Sequence, residues 1–290
     1  MQPLLPTFEP SDNDLIDRAM GRSLIRKIEQ AVLLLKCWEE SAIGKHVDGF
    51  QVGDSGGKDS DCIVELAKMA GVRYKATYNV TTIDPPELLR HLKKHRPDTE
   101  WKHSGHGHLI LSRMVEKMSM PTRLGRWCCS EYKYCCSSED SVGVVGVRIE
   151  ESDKRAGMWK EMTVHSETRR IILAPLCYWT EKDVWEFHKL RDLAYCELYD
   201  HGFSRLGCVG CPINPGNQAK EFSRWPKYEA MWKEGAKRLW ERGQVQMNNR
   251  GEKYAVGKFE SWEKLYEWWL TGHKDEPEAN CVFEEMMENV

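Results

Sequence analysis

Residues 53–62 read Gly-Asp-Ser-Gly-Gly-Lys-Asp-Ser-Asp-Cys, placing the most permissive residues of the chain beside its most polar ones. An apolar strand-like run precedes them and a helical pattern follows. The first amides of a helix lack partners and carry the positive end of the helix dipole, so such a junction is a ready anion site. Gly56 and Gly57 let a phosphate approach the backbone, Ser55 and Ser60 supply hydroxyls, and Lys58 adds a compact positive charge. Asp59, or Asp54, can hold magnesium or orient water. The stretch is neither GxxxxGK[ST] nor GxGxxG. On local grounds it reads equally as a phosphate cradle or a plain capped turn.

The 11 cysteines form a second set. Cys208 and Cys211 make a CxxC on a glycine- and proline-rich loop, half of a metal site, and Cys128-Cys129 can supply the other half. Four thiolates from two segments suit tetrahedral zinc or an iron–sulfur cluster. Gly207 and Gly210 would leave amides free for cluster sulfurs. Cys135-Cys136 follow seven residues after the first doublet and, on a helix, share nearly its face. Cys37, Cys62, Cys177 and Cys196 read as small buried thiols. Cys281 stands among acids at 278, 284, 285 and 288, which raise a thiol pKa and argue against a ready nucleophile. Arg148 and Arg155 flank Glu150, Glu151 and Asp153 after the valine-rich run 142–147, placed to clamp an oxyanion or to form a surface ion-pair network. Thr81, Thr82 and Asp84 follow the second expected strand, where an adenosine would lie or where the chain simply turns into Pro85.

The elements that must position these residues follow from periodicity. A helix is expected over 11–43, strands over 47–53 and 72–80, and helices at 59–70, 85–95 and 108–118. Buried strands follow at 142–147 and 171–176, and a capped helix starts at Thr180. The β-α-β-α order predicts an α/β fold with a parallel, doubly wound sheet. Expected divisions are 1–44, a helical element; 45–216, the nucleotide-binding α/β domain with the cysteine site; and 217–290, a helical region rich in tryptophan. Those tryptophans read as core before they read as a nucleic-acid platform. A net charge of −3 gives no global pull toward nucleic acid, and the basic run 90–96 reads as a solvated helix face. No run approaches a membrane span and the N-terminus has no secretory pattern, so a cytoplasmic protein, free of membranes, is expected. A homo-oligomer is also expected.

Five blocks in order carry a family resemblance. Ser55–Ser60, "SGGKDS", resembles the PP-loop of the adenine nucleotide α-hydrolase superfamily. "RWCCSEYK" (126–133), "GVRIEESDKRAG" (146–157), "APLCYWTEKDVWEF" (174–187) and "LYDHGFSRLGCVGCP" (198–212) resemble blocks of the phosphoadenosine-phosphosulfate reductase-like family. The resemblance spans about residues 45–225 and implies ATP, or an adenylylated sulfate, on Ser55, Gly56, Gly57, Lys58, Asp59 and Ser60, with Thr82 and Asp84 toward the nucleoside. It implies chemistry at Lys58, Asp59, Arg148 and Arg155, magnesium, and a 4Fe–4S cluster on Cys128, Cys129, Cys208 and Cys211, with zinc as the alternative. An intact loop implies cleavage of ATP to AMP and pyrophosphate for sulfur transfer, as in DNA phosphorothioation or tRNA thiolation. A cysteine desulfurase or thioredoxin would supply sulfur or electrons, and nucleic acid is a candidate acceptor. The rival readings are a thioredoxin-linked reductase of phosphoadenylylsulfate or adenylylsulfate, and a non-catalytic nucleotide-binding subunit. The reductases' C-terminal cysteine motif is absent around Cys281.

Overall fold

The computed structural model describes residues 14–105, 109–134, 140–165 and 169–271. Cys135, Cys136 and Cys281 lie outside the described residues. The chain divides into two units that interleave along the sequence. Met1–Tyr78, Pro86–Trp101 and Ser137–Leu206 make the first, and Asn79–Pro85, Lys102–Cys136 and Gly207–Val290 the second.

The first unit is built around the sheet. β1 (Phe50–Gly53), β2 (Tyr74–Val80), β3 (Glu100–His103), β4 (Gly143–Val144), β5 (Met162–Val164) and β6 (Ile171–Leu173) lie in the order β3-β2-β1-β4-β6-β5. β1 pairs in parallel with both β2 and β4, and β4 with β6, whereas β5 closes one edge antiparallel to β6. The fold is therefore α/β with a mostly parallel sheet, as the alternation of strand and helix patterns predicts. Phe50, Gln51 and Val52 are all buried, the signature of a central strand covered on both faces. β1 is also where the strand order reverses, because its two neighbours lead away in opposite directions. Such a switch point opens a crevice beyond the strand C-termini.

α1 (Asp14–Lys45) and α2 (Lys58–Ala70) pack together. Leu24, Ile28, Ala31 and Leu35 recur at helical spacing and join Ile63, Leu66, Ala67 and Ala70 in one core cluster. α2 stops at Gly71, a left-handed cap with φ 67°. α3 (Pro86–His95) and α6 (Asp153–Met158) are short, and α7 (Glu181–Leu190) packs on α2. The α7 start is a reciprocal capping box: Thr180 accepts from the Asp183 amide while Asp183 accepts from the Thr180 amide. The same Asp183 carboxylate takes the Lys27 ammonium at 2.5 Å, tying α1 to α7. The basic run on α3 is only partly a solvated face, since His91 is buried and Arg96 reaches Asp61 at 3.0 Å. β3 and β5 escape the sequence pattern, because "EWKH" and "MTV" are short edge strands with no buried alternation.

The second unit is helical: α4 (Ile110–Glu116), the single turn α5 (Trp127–Cys129), α8 (Pro215–Arg224), α9 (Pro226–Val245) and α10 (Trp262–Thr271). Its tryptophans are mostly core, as their spacing predicts. Trp232 stacks on Trp269 with ring centroids 4.6 Å apart. The Trp232, Trp240 and Trp269 indoles each donate to a backbone carbonyl, which satisfies their one polar atom inside the unit. Among the described residues no helix is long and apolar enough to cross a membrane.

Candidate functional site

The chain leaves β1 at Gly53 and enters α2 at Lys58, so residues 54–57 form the loop at the switch point. Asp54 is turned inward, where its carboxylate accepts the Gly56 amide at 3.1 Å and the Thr99 hydroxyl at 2.7 Å. Burial raises its pKa against those two bonds. Gly56 has φ +70°, and a Cβ there would meet the Leu92 and Leu88 side chains at 2.7 and 2.9 Å. Only glycine suits this position. Gly57 is extended and caps α2 without a side-chain bond. Ser60 donates to the Gly57 carbonyl at 2.8 Å and receives the Ser55 hydroxyl at 3.3 Å. Lys58, Asp59 and Ser60 form the first turn, whose amides have no partner within the helix.

Charge around the loop is tightly paired. Lys58 is 4% exposed, and its ammonium reaches the Ser204 carbonyl at 3.1 Å, Asp59 at 3.4 Å and Glu181 at 3.6 Å. Arg148 lies four residues beyond β4, on the other side of the switch point, and its Nε donates to Asp59 at 2.6 Å. Its other arm meets Glu150, whose carboxylate also caps the α7 amide of Glu181 at 2.6 Å. Burial works against the Arg148 charge, but Asp59 and its acidic neighbours hold the guanidinium pKa above its ordinary value. Gly146 explains the close approach of this segment, since a Cβ there would sit 3.1 Å from the Asp59 backbone. The structure thus brings Lys58, Asp59 and Arg148 together. Arg155 pairs with Glu151, whose carboxylate also accepts the Arg148 amide at 3.3 Å, so it joins the group at one remove.

Three contributors were not anticipated. Tyr199 accepts the Lys58 amide at 2.9 Å, and its ring lies under the Lys58 ammonium, 5.5 Å from the centroid. His188 bonds the Lys58 carbonyl through Nε2 at 2.8 Å, and because a carbonyl only accepts, Nε2 carries the proton. Glu181 is the third. Trp185 lines an open cleft of about 620 Å³ with His188, Tyr195 and Tyr199. The sequence signal for Tyr199 is its place in the "LYDHG" block, and for Glu181 its place just after the Thr180 cap.

Cys128, Cys129, Cys208 and Cys211 belong to the second unit. The 208–211 turn is held by local bonds: Val209 donates to the Ile83 carbonyl at 2.9 Å, Gly210 to Glu221 at 2.6 Å, and Gln218 to the Gly210 carbonyl at 3.0 Å. Gly210 has φ +76° and a Cβ would strike Phe222 and Trp232 at 2.6 Å. Its amide is therefore committed to Glu221, not free for a cluster sulfur. Cys128 and Cys129 share a hydrogen bond, and this bond, burial and the nearby Cys208 and Cys211 push the Cys128 thiol far up. Burial, with Asp84 and Cys211, pushes Cys208 up to about 12 against the pull of Lys133. Cys208 in turn is the main reason the Lys133 ammonium pKa is raised, with Asp84, Cys129 and Cys211 adding to it against burial. Cys128 and Cys208, both raised in part by thiols beside them, mark a group that a soft cation would discharge, so its chemistry fits a thiolate-bound metal. Among the described residues, however, no three His, Cys, Asp or Glu side chains are arranged to hold a metal ion as they stand. Thr82 and Asp84 group with these cysteines in the second unit: Thr82 accepts the Ile110 amide at 3.1 Å and Asp84 the Thr81 hydroxyl at 2.7 Å. Cys62, Cys177 and Cys196 are fully buried, as small packing thiols should be, whereas Cys37 is exposed.

A mostly parallel sheet that carries a Ser-Gly-Gly-x-Asp-Ser loop at its switch point has the fold of the PP-loop superfamily. Residues 51–214 match the phosphoadenosine phosphosulfate reductase domain, and the chain belongs to that family. Two uncharacterized proteins of Methanocaldococcus jannaschii are each 28% identical to it, over 66% and 80% of this chain and 48% and 49% of their own. The chain thus spans about half the length of these relatives. An adenosine 5'-phosphosulfate reductase of Shouchella clausii is 33% identical over 82 residues, covering 28% of this chain and 33% of that protein. Among solved structures, the phosphoadenylyl-sulfate reductase of Candida auris, in a phosphate complex, superposes with a TM-score of 0.45 at 14% identity, covering 70% of this chain and 98% of that one.

Proposed function

We propose that the chain cleaves ATP between its α and β phosphates, yielding AMP and pyrophosphate, and uses the adenylate for sulfur transfer. An oxygen of the acceptor attacks the α phosphorus and pyrophosphate leaves; a sulfur nucleophile then displaces AMP from the acceptor. The observation that carries this reading is the Lys58–Asp59–Arg148 group beside an intact loop at the switch point. Amides of the α2 first turn and the Ser55 and Ser60 hydroxyls would hold the leaving pyrophosphate. Lys58 and Arg148 would meet its developing charge, which amounts to electrostatic stabilisation of the departing group. Asp59 would hold both cations in place beforehand. Asp54 and Asp59 are each committed to protein donors, so magnesium would enter as the counterion of the ATP phosphates.

Cys128, Cys129, Cys208 and Cys211 would hold the 4Fe–4S cluster, or zinc in its place, and the metal would supply a binding place for sulfur. The donor of that sulfur, a cysteine desulfurase or a thioredoxin-linked system, and an acceptor such as nucleic acid belong to the same proposal. Lys58→Ala and Ser60→Ala should each abolish ATP-dependent pyrophosphate release. Release at the wild-type rate in both variants would remove the loop from the mechanism. The likeness to adenosine 5'-phosphosulfate reductases supports a second reading, thioredoxin-linked reduction of adenylylsulfate. Sulfite formed from adenylylsulfate with thioredoxin, lost in Cys281→Ser, would favour it over ATP cleavage.

A further inference from the structure

The Tyr199 hydroxyl makes one hydrogen bond among the described residues, and in that bond it is the acceptor: the Lys58 amide donates to it at 2.9 Å. Lys58 is the first residue of α2, so its amide is one of the unpaired donors that an anion at this loop would seek. A phenol that accepts through one lone pair still has its own proton to give. That proton meets no acceptor among the described residues. The ring is held in place independently of the hydroxyl. It packs edge-on against Trp185 with centroids 5.1 Å apart and lies beneath the Lys58 ammonium. The segment that carries it, Glu197–Tyr199, packs against α3.

We infer that Tyr199 is a phosphate-binding residue, extending the loop's anion site by handing on, through its own O–H, the hydrogen bond it takes from the Lys58 amide. This rests on the PP-loop reading above and adds a donor to it. The polarity is favourable. A hydroxyl that accepts from a helix N-terminus is polarised by the dipole behind it, and its proton becomes a better donor to an anion. Burial pushes the phenol pKa well up, so the proton stays on the oxygen through the neutral range. The ligand class is a polyphosphate or pyrophosphate group. Adenosine alone has no charge to meet this donor.

Calorimetric titration of the full chain with inorganic pyrophosphate, ATP and adenosine tests the assignment, using wild type, Tyr199→Phe and Lys58→Ala. Phenylalanine keeps the ring contacts with Trp185 and Lys58 and removes the hydroxyl. Tyr199→Phe should weaken pyrophosphate and ATP binding about ten-fold, the scale of one hydrogen bond to a charged group, and leave adenosine within about two-fold. Unchanged pyrophosphate affinity overturns the inference. Tighter binding also overturns it, because the hydroxyl would then compete with the anion for the Lys58 amide. An equal loss for adenosine overturns it as well, since that marks a general distortion of the loop. If Lys58→Ala weakens pyrophosphate binding and Tyr199→Phe does not, the tyrosine assignment alone fails. If neither variant weakens it, the PP-loop reading fails too.

Discussion

Asp59 sits between two cations, 2.6 Å from Arg148 and 3.4 Å from Lys58, and neither cation is open to solvent. Arg148→Ala leaves Asp59 with Lys58 alone and Glu150 with only the Glu181 amide, and should destabilise the protein by about 2 kcal/mol. The urea midpoint reads this directly. A second prediction concerns Asp183. Burial opposes its charge, but Lys27 and the Thr180 amide and hydroxyl hold its carboxyl pKa below the ordinary value. A depressed carboxylate stabilises the fold above its unfolded pKa, about 3.9, and that contribution disappears as pH falls through the lower native value. The stability difference between wild type and Asp183→Asn should therefore be constant at neutral pH and shrink below about pH 4. A difference that grew on acidification would contradict the ion pair as its cause.

Among the elements, the loop and α7 were legible because each has a local chemical cause. The Gly-Gly pair marks a backbone that must bend, and Thr180 with Asp183 spells a helix start that the structure reproduces atom for atom. Gly56→Ala should cost about 2 kcal/mol through its positive φ and the contact with Leu92. Thr180→Ala should cost about 1 kcal/mol through loss of the cap. Thermal denaturation ranks the two. β3 and β5 were illegible for the opposite reason. An edge strand is stabilised by a ladder it joins from one side, so its sequence need not alternate, and "EWKH" does not. Tyr199 and His188 were missed because their bonds go to the Lys58 backbone, across 141 and 130 residues. A partner that recognises main chain leaves no complementary residue type to read. The CxxC turn was read correctly as a loop, but the amide of Gly210 was not free, because Glu221 on α8 captures it.

For the molecule as a whole, protein purified without oxygen should contain iron and acid-labile sulfide, and Cys208→Ser should lose them. Zinc in their place would exchange the cluster for a tetrahedral site on the same thiols. Neither metal would leave the raised thiol pKa values of Cys128 and Cys208 as the property of four protonated side chains. The two units alternate along the chain in six segments, so composition along the sequence carries no mark of where one ends. That alternation reaches into biosynthesis. The last segment of the first unit ends at Leu206, and the second unit already owns Lys102–Cys136 by then. A ribosome must therefore deliver the segment that ends at Leu206 before the sheet-bearing unit is complete, by which time two segments of the second unit have already been made. Neither unit can be excised as one continuous gene fragment, and a chain cut before Ser137 should lack the last segment of the first unit.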